Sequence, residues 1–479
     1  MVMACRMPWW LLIMVGALVG TLLVTSPGSL AVLTLVALLL RGIRRFATDD
    51  HRYLSWLCGV GFAARAVAAF LLLFIFAVNH PLAQSDVMTL PPSQRSINYF
   101  CYRIPDLFGD SDSGFYSLQG LWLSQAVARP HIDDAYRRFL ARVFGDPLGR
   151  SYHVYLLGAY HYLFGFSPYS VLLVNALIGT LGGLFVYLFT RRLFGVPTAS
   201  LAGVLGMFWP SLFLWSLSNL KEPGVILSLL VFFWALMGWF QRRAWRWFVT
   251  SLIAACVQVI LRKELLCLVI PMLAFSVSYP FLVARSTRWK RWAVGIGVVL
   301  ITILQLFSNG QFLRRPLDRF MDTLVMLHQG HQQGWAYQYL DGDSYPLMAI
   351  PSHWLTDGKR LSVLGNAWIH FLFEPFPNRL DTLWHALCYP QVLLWYACVL
   401  FGVLGLVGSW GALPRGGGYL CLAYLAGFGS LVALASGNIG TVLRHRDMFT
   451  PLYLSFTAAW FVWLDRRSVR PHHLVSTEG

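Results

Sequence analysis

Long apolar runs, broken at intervals by short clusters of arginine and lysine, constrain this chain more than any other feature. A helix needs about twenty mostly apolar residues to cross the hydrocarbon core of a bilayer. Runs of that order recur from Pro8 to Leu464. Of the 479 residues, 57% are hydrophobic and only 12% are charged. A soluble domain carries about a quarter charged residues, so a water-facing surface of ordinary size cannot be built from this chain. The 20 Trp, 20 Tyr and 34 Phe suit the interfacial belts of a membrane protein. The chain reads as an all-α polytopic membrane protein.

The basic clusters orient it. Spans are predicted at Pro8–Thr25, Ser29–Leu40 (a short one), Tyr53–Val78, Val171–Thr190, Ala199–Leu217, Pro223–Phe240, Phe248–Leu261 and Leu265–Val283. Four more follow at Trp292–Phe307, Cys388–Trp410, Tyr419–Ala435 and Phe449–Leu464. That makes about twelve transmembrane helices, with both termini cytoplasmic. Under this threading Arg41–Arg45, Arg191–Arg192, Arg242–Arg246, Arg285–Arg291, Arg415 and Arg466–Arg470 share one face, which the positive-inside rule makes cytoplasmic. The first run has no small-residue cleavage site after it and is expected to persist as a helix.

Two large polar loops then fall on the outer face, Asn79–Arg150 and Ser308–Leu387. Tyr152–Phe166, rich in Tyr and His, reads as an interfacial helix that extends the first loop to about residue 168. A short surface helix is expected around Leu361–Phe373. The organisation is an N-terminal hairpin with its cytoplasmic loop (1–52), a transmembrane core (53–307), the second outer loop (308–387), C-terminal helices (388–465) and a cytoplasmic tail (466–479).

The net charge of +16 belongs to these loop clusters. No basic stripe lies along a soluble element, so nucleic acid is not an expected partner. The eight cysteines show no metal or disulfide spacing. Cys58, Cys256, Cys267, Cys398 and Cys421 fall inside apolar spans, where a thiol packs as a small hydrophobe. The histidines of the second loop, including His328, His353, His370 and His385, are irregularly spaced and show no zinc pattern.

Chemistry concentrates in the first loop. Gly109-Asp110-Ser111-Asp112-Ser113-Gly114-Phe115-Tyr116 packs two carboxylates, two hydroxyls and a tyrosine into one turn-rich run. Such a run also makes a good helix N-cap, since short side-chain acceptors satisfy free backbone N–H groups. A positioned aspartate can take the proton of an attacking hydroxyl, and Asp110 and Asp112 together are spaced to hold a hard divalent cation through oxygen. No cofactor is otherwise required.

Cations on the outer side break the charge rule: Lys221, Arg262, Lys263, Arg444 and Arg446, each at a tight turn between spans. The phosphate of a lipid carrier would lie at that depth, and Arg and Lys bind such oxygens by charge-assisted hydrogen bonds. The alternative is anchoring of helix ends to lipid headgroups. Arg65 lies inside a span, where a charge needs a partner or hydration and marks a functional site, a structural ion pair or a snorkelling side chain.

The order of these features resembles a known family. Asp112 and Tyr116 follow the first core span. Leu163-Phe164-Gly165 closes the interfacial helix, and Asn175 to Tyr187 closes on Arg191-Arg192-Leu193-Phe194-Gly195. Then come Trp209-Pro210, Lys221-Glu222, Leu261-Arg262-Lys263-Glu264 and Arg446-Asp447-Met448-Phe449-Thr450-Pro451. This succession is similar to the GT-C-fold membrane glycosyltransferases of the protein-mannosyltransferase-like type (glycosyltransferase family 39 in the broad sense). The resemblance implies a GT-C-like fold and transfer of a sugar from a polyprenyl-phosphate donor on the outer face of a bacterial inner membrane. It also implies Asp112 as the catalytic carboxylate, with Asp110 as helper or metal ligand. A glycan, lipid or protein would be the acceptor. Lys221, Arg262, Lys263, Arg444, Arg446, Tyr116 and Arg65 are the candidate substrate and phosphate ligands.

Two other readings compete. A polysaccharide polymerase or ligase using lipid-diphosphate-linked glycan would place its chemistry in the second loop, for instance at Arg319 or His353. A lipid-linked substrate transporter or flippase would show internal repeats and polar residues in broken helices at the membrane midplane. No repeat is visible here.

Overall fold

The computed structural model describes residues 26–46, 50–79, 152–165, 167–262, 265–283, 359–376, 383–413 and 415–468, with single positions between 116 and 127 and His328. The regular elements among them are helices: α1 (Pro27–Phe46), α2 (His51–Asn79), α3 (His153–Phe164), α4 (Pro168–Phe194), α5 (Val196–Phe208), α6 (Pro210–Trp215), α7 (Glu222–Arg242), α8 (Trp245–Leu261) and α9 (Leu266–Val283). They continue with α10 (Lys359–Phe373), α11 (Leu383–Ser409), α12 (Arg415–Leu422), a π-helical turn (Ala423–Phe428), α13 (Gly429–Ala435), α14 (Ile439–Arg446) and α15 (Thr450–Ser468).

Six of these are long and apolar enough to cross a membrane: Pro27–Arg45, His51–Leu72, Tyr169–Phe194, Glu222–Arg242, Tyr389–Ser409 and Gly417–Ala435. Val196–Phe208 and Trp245–Leu261 are shorter apolar helices. A multi-pass helical membrane protein is the architecture. The expected runs Pro8–Thr25 and Trp292–Phe307 lie outside the described residues. The short predicted run Ser29–Leu40 is in fact part of a 20-residue helix, because Gly42-Ile43-Arg44-Arg45 continue it past the apolar stretch.

The predicted span Ala199–Leu217 differs more. It is two helices, broken at Trp209-Pro210. Proline has no N–H to donate and forces the preceding residue to be extended. Trp209 accordingly has ψ 125°, and Pro210 opens α6.

The chain divides into two compact units. The first comprises residues 1–187, 203–231 and 254–263; the second comprises 188–202, 232–253 and 264–479.

In the first unit α1, α2 and α4 share a core of Val32, Val36, Phe62, Leu173 and Ala176. A second cluster joins Ala69, Leu172 and Leu217. Small residues let helices approach closely in a membrane protein. Gly61 of α2 and Gly183 of α4 both press on Met207 of α5, and any side chain at Gly183 would meet Met207 within 2.8 Å. Arg65 of α2 is fully buried here. Its Nη2 donates to Met207 O at 2.7 Å, its Nη1 to Gly61 O at 3.1 Å and its Nε to Ser216 Oγ at 2.8 Å. The Phe213 ring covers the guanidinium at 4.9 Å. The break at Pro210 frees carbonyls that a continuous helix would have satisfied. Arg65 supplies a donor to one of them in a place where water cannot.

In the second unit α11 packs along α15. Gly402 and Gly405 of α11 face the α15 backbone at Tyr453 and Phe456, and Thr457 Oγ1 donates to Cys398 O at 3.0 Å. Asn438 caps α14 by accepting from Thr441 N at 2.6 Å. Trp368 of α10 rests on Gly429 and donates to Ser430 Oγ at 3.0 Å.

The C-terminal end of α10 is closed by side chains. A helix leaves its last four carbonyls without intrahelical donors. Here Arg446 Nε donates to Phe371 O at 2.5 Å and Arg446 Nη2 to His370 O at 3.4 Å. Trp395 Nε1 takes Leu372 O at 3.0 Å, and Tyr396 Oη takes Phe373 O. Two histidines flank Ser436 in the same unit. His328 Nδ1 bonds Ser436 O, and Ser436 Oγ lies 2.7 Å from His445 Nδ1. Ser436 Oγ also donates to Val432 O at 2.7 Å, so it accepts from His445.

Candidate functional site

The polar end of the first unit is built around the short connection between α6 and α7, residues 216–221. Successive tight turns there bring Leu217 N to Leu214 O at 2.9 Å and Ser218 Oγ to Trp215 O at 2.9 Å. Asn175, in the second turn of α4, stitches this connection down: its Nδ2 donates to Ser218 O at 2.5 Å and to Leu220 O at 3.3 Å. A backbone held in this way fixes where Asn219, Lys221 and Glu222 stand. Asn219 and Glu222 are buried, while Lys221 is half-buried.

α3 lies against this connection. Its first residue, His153, is buried; it meets the Asn219 side chain and feels the charges of Glu222 and Lys221. On its other side the ring packs edge-on against Tyr116, with centroids 5.5 Å apart. One turn along, Leu157 and Gly158 meet Gly120, where an added side chain would come within 2.7 Å of Leu157 Cβ. The segment carrying Tyr116, Gln119 and Gly120 therefore crosses α3 at close range, and Gln119 is buried beside it.

α8 closes the other side. Leu261, in its last turn, packs on the first turn of α7, 3.0 Å from where a side chain on Gly224 would stand. Arg262 follows directly, half-buried, its N–H bonded to Gln258 O at 2.7 Å. Gln258 is one turn deeper and fully buried.

Electrostatically this end is mixed. Burial pushes the His153 imidazole down to about 4; Lys221 adds to that, while Glu222 and the Asn219 hydrogen bond oppose it. His161, two turns along α3, is likewise lowered to about 4 by burial, against a bond with the Gly165 backbone. Both are neutral at pH 7. The charges on the connection and at the end of α8 are those of Lys221, Glu222 and Arg262. Cations held half-buried at the end of apolar helices can bind phosphate oxygens in a low-dielectric setting, where the interaction is stronger than in water.

The sequence-derived candidates separate cleanly. Tyr116, Lys221 and Arg262 lie in this polar end. Arg65 is in the same unit but spends its donors on α2, α5 and Ser216. Arg444 and Arg446 belong to the second unit. Arg444 is half-buried, and Arg446 closes α10 and stands 5.6 Å from the Trp395 ring. Asp110, Asp112 and Lys263 lie outside the described residues, as do Arg319 and His353. Among the described residues no group of three or more His, Cys, Asp or Glu could hold a metal ion.

Sequence reasoning passed over His153, Asn219, Gln119 and Gln258. For Gln258 a signal existed: it is a lone amide inside the apolar run Phe248–Leu261, and a polar group at membrane depth calls for a use. For the others no spacing rule connects residues 119, 153 and 219.

The architecture defines a class, that of the multi-pass helical membrane proteins, and one stretch of it is similar to a glycosyltransferase family. Residues 152–308 match the family model described as dolichyl-phosphate-mannose-protein mannosyltransferase. The matched stretch begins at the start of α3 and runs through α9, so it contains His153, Asn175, the 216–221 connection, Gln258 and Arg262. The resemblance to mannosyltransferase-type glycosyltransferases that use polyprenyl-phosphate-linked sugars therefore rests on the stretch that supplies most of this polar end, while Tyr116, Gln119 and Gly120 precede it. No curated protein matches the chain.

Proposed function

We propose that this chain transfers a hexosyl or pentosyl unit from a polyprenyl-phosphate donor to a hydroxyl of a glycolipid, polysaccharide or protein, with inversion, at the outer face of a bacterial inner membrane. The observation that carries this reading is the coincidence of the family match with the polar end of the first unit. Lys221 and Arg262 stand there on helix ends, and Tyr116 is four residues after Asp112 in sequence.

In the step envisaged, Asp112 takes the proton of the acceptor hydroxyl. The acceptor oxygen forms a bond to the anomeric carbon as the bond from that carbon to the phosphate oxygen breaks. The electron pair leaves with the polyprenyl phosphate, whose growing charge Lys221, Arg262 and the neighbouring Lys263 offset. Arg444 is a further candidate phosphate ligand. Asp110 assists Asp112, either by orienting it or by sharing a divalent cation with it.

The test is sugar transfer from a radiolabelled polyprenyl-phosphate sugar by the purified protein in lipid nanodiscs. Asp112→Asn is expected to lower turnover by about 10²–10⁴-fold, the usual worth of a general base, with membrane insertion and melting temperature unchanged. Retained turnover in that variant would remove Asp112 from the mechanism. A loss of activity on chelation, restored by Mg²⁺ or Mn²⁺, would establish the shared cation.

A further inference from the structure

Four polar groups at this end are buried and have no hydrogen-bond partner among the described residues. They are Gln119 Nε2, Glu222 Oε2, and both Nε2 and Oε1 of Gln258. The residues are 1%, 5% and 0% exposed. A buried polar atom left unmatched costs roughly 1–3 kcal/mol, and native proteins leave few of them. Several at one end of one unit call for a reason.

Contacts of neighbouring residues link the stretches that carry these groups. Gln119 is next to Gly120, which packs on Leu157 one turn beyond His153. His153 in turn meets Asn219 and the charge of Glu222. Glu222 opens α7, whose Gly224 lies against Leu261. Gln258 is three residues before Leu261, on the same side of α8, and four before Arg262.

Their chemistry is complementary to one kind of ligand. Gln258 Oε1 and Glu222 Oε2 need donors. The Nε2 groups of Gln258 and Gln119 need acceptors. A phosphate offers acceptors only and would answer half the set. A sugar offers adjacent hydroxyls, each a donor and an acceptor at once, and answers all of it.

We infer that Gln258, with Glu222 and Gln119, binds the hydroxyls of the sugar on the donor lipid, one helical turn below the cation at Arg262. This rests on the proposed function and adds to it the residues that recognise the sugar and not the phosphate. Gln258 is the sharpest member, because it lies within an apolar helix and both ends of its amide are unmatched. A leucine there would keep the volume and remove the unmatched groups. Substitution should therefore leave the fold as stable or make it more so, while sugar recognition is lost.

The experiment compares binding of bare polyprenyl phosphate with binding of polyprenyl-phosphate mannose, glucose and galactose, by the wild type and by Gln258→Leu, together with the melting temperature of each. The wild type should prefer at least one sugar-bearing lipid over the bare phosphate. Gln258→Leu should lose about tenfold of that preference, as expected for hydrogen bonds to a buried amide. Its affinity for bare polyprenyl phosphate should be unchanged and its melting temperature equal or higher. Glu222→Gln should weaken the sugar-bearing lipid in the same way. A Gln258→Leu protein that keeps the full preference would overturn the inference alone, as would one that binds both lipid classes more weakly and melts earlier. A wild type that binds the bare phosphate and every sugar-bearing lipid equally also overturns it and leaves the phosphate-site reading standing. A wild type that binds neither class overturns this inference and the proposed function together.

Discussion

At the C-terminal end of α10, in the second unit, three backbone carbonyls that the helix end leaves open, those of Phe371, Leu372 and Phe373, are met by Arg446, Trp395 and Tyr396. At the polar end of the first unit, Gln119, Glu222 and Gln258 are just as buried and leave groups unmatched. Both regions bury polarity in an apolar protein. One answers the open carbonyls of a helix end with side chains from two other helices, and the other leaves side-chain amide and carboxylate groups unanswered. A satisfied network holds elements in place, because breaking any bond strands its partner. An unsatisfied one is costly to the free protein and favours whatever ligand completes it. This difference, and not charge or burial, sets the proposed sugar site apart from the α10 end. Arg65 belongs with Arg446 by this criterion: it is a buried arginine whose donors are spent on carbonyls and a hydroxyl of its own unit.

Substitutions that strand carbonyls should have the largest effect. Arg446→Ala strands Phe371 O and opens a cavity where a fully buried side chain stood, and is expected to cost about 2–5 kcal/mol of stability. This would be read as a sharp fall in melting temperature and in the monodisperse yield after detergent extraction. Transfer activity per folded molecule should change little. If the variant remains as stable as the wild type but no longer transfers sugar, Arg446 is a substrate ligand and the comparison breaks.

Arg65→Met should follow, at about 1–3 kcal/mol, since the stranded Met207 carbonyl lies beside the break at Pro210. Its donor KM should match the wild type.

Arg262→Ala and Lys221→Ala should do the reverse. Each is expected to raise the donor KM about tenfold, for a lost charge-assisted bond to phosphate, with the melting temperature within a degree or two of wild type. A large loss of stability in either would move it to the scaffold.

The smallest expected effect is with pH. His153 and His161 have imidazoles held near 4 by burial, against an ordinary value of about 6.5. The unfolded chain therefore binds more protons than the folded one between those values. Stability supplied by the neutral rings is present above about pH 6.5 and is lost as pH falls toward 4. His153→Asn should flatten the melting-temperature profile across that window and leave it unchanged above pH 7. An unaltered slope would mean that the ring is hydrated in the folded protein.

Much of the fold was readable from residue order. Apolar run length marks helices without reference to anything distant, so α2, α4, α7 and α11 fall where the hydropathy places them. The short helices α3 and α10 were also legible, expected at Tyr152–Phe166 and around Leu361–Phe373. Pro210 was visible too, but its consequence was not: a single Trp-Pro in an apolar run can bend a span or split it. The split stands here beside Arg65, brought to it from α2 more than a hundred residues earlier in the chain. Within the site, Lys221 and Arg262 were legible because they violate the charge rule. His153 and Asn219 were not, because their meaning is mutual.

Composition and the periodic return of apolar runs determined by themselves that this chain is a helical membrane protein, and the succession of loop motifs determined its likeness to the mannosyltransferase type. Both are local or ordered properties, carried by the chain whatever it touches. Only the tertiary structure decided which buried polar groups are answered. It spends Arg65 and Arg446 on stray carbonyls and leaves the amide of Gln258 with none. The physical reason is that a hydrogen bond is a property of a pair, and the partners here lie tens to hundreds of residues apart.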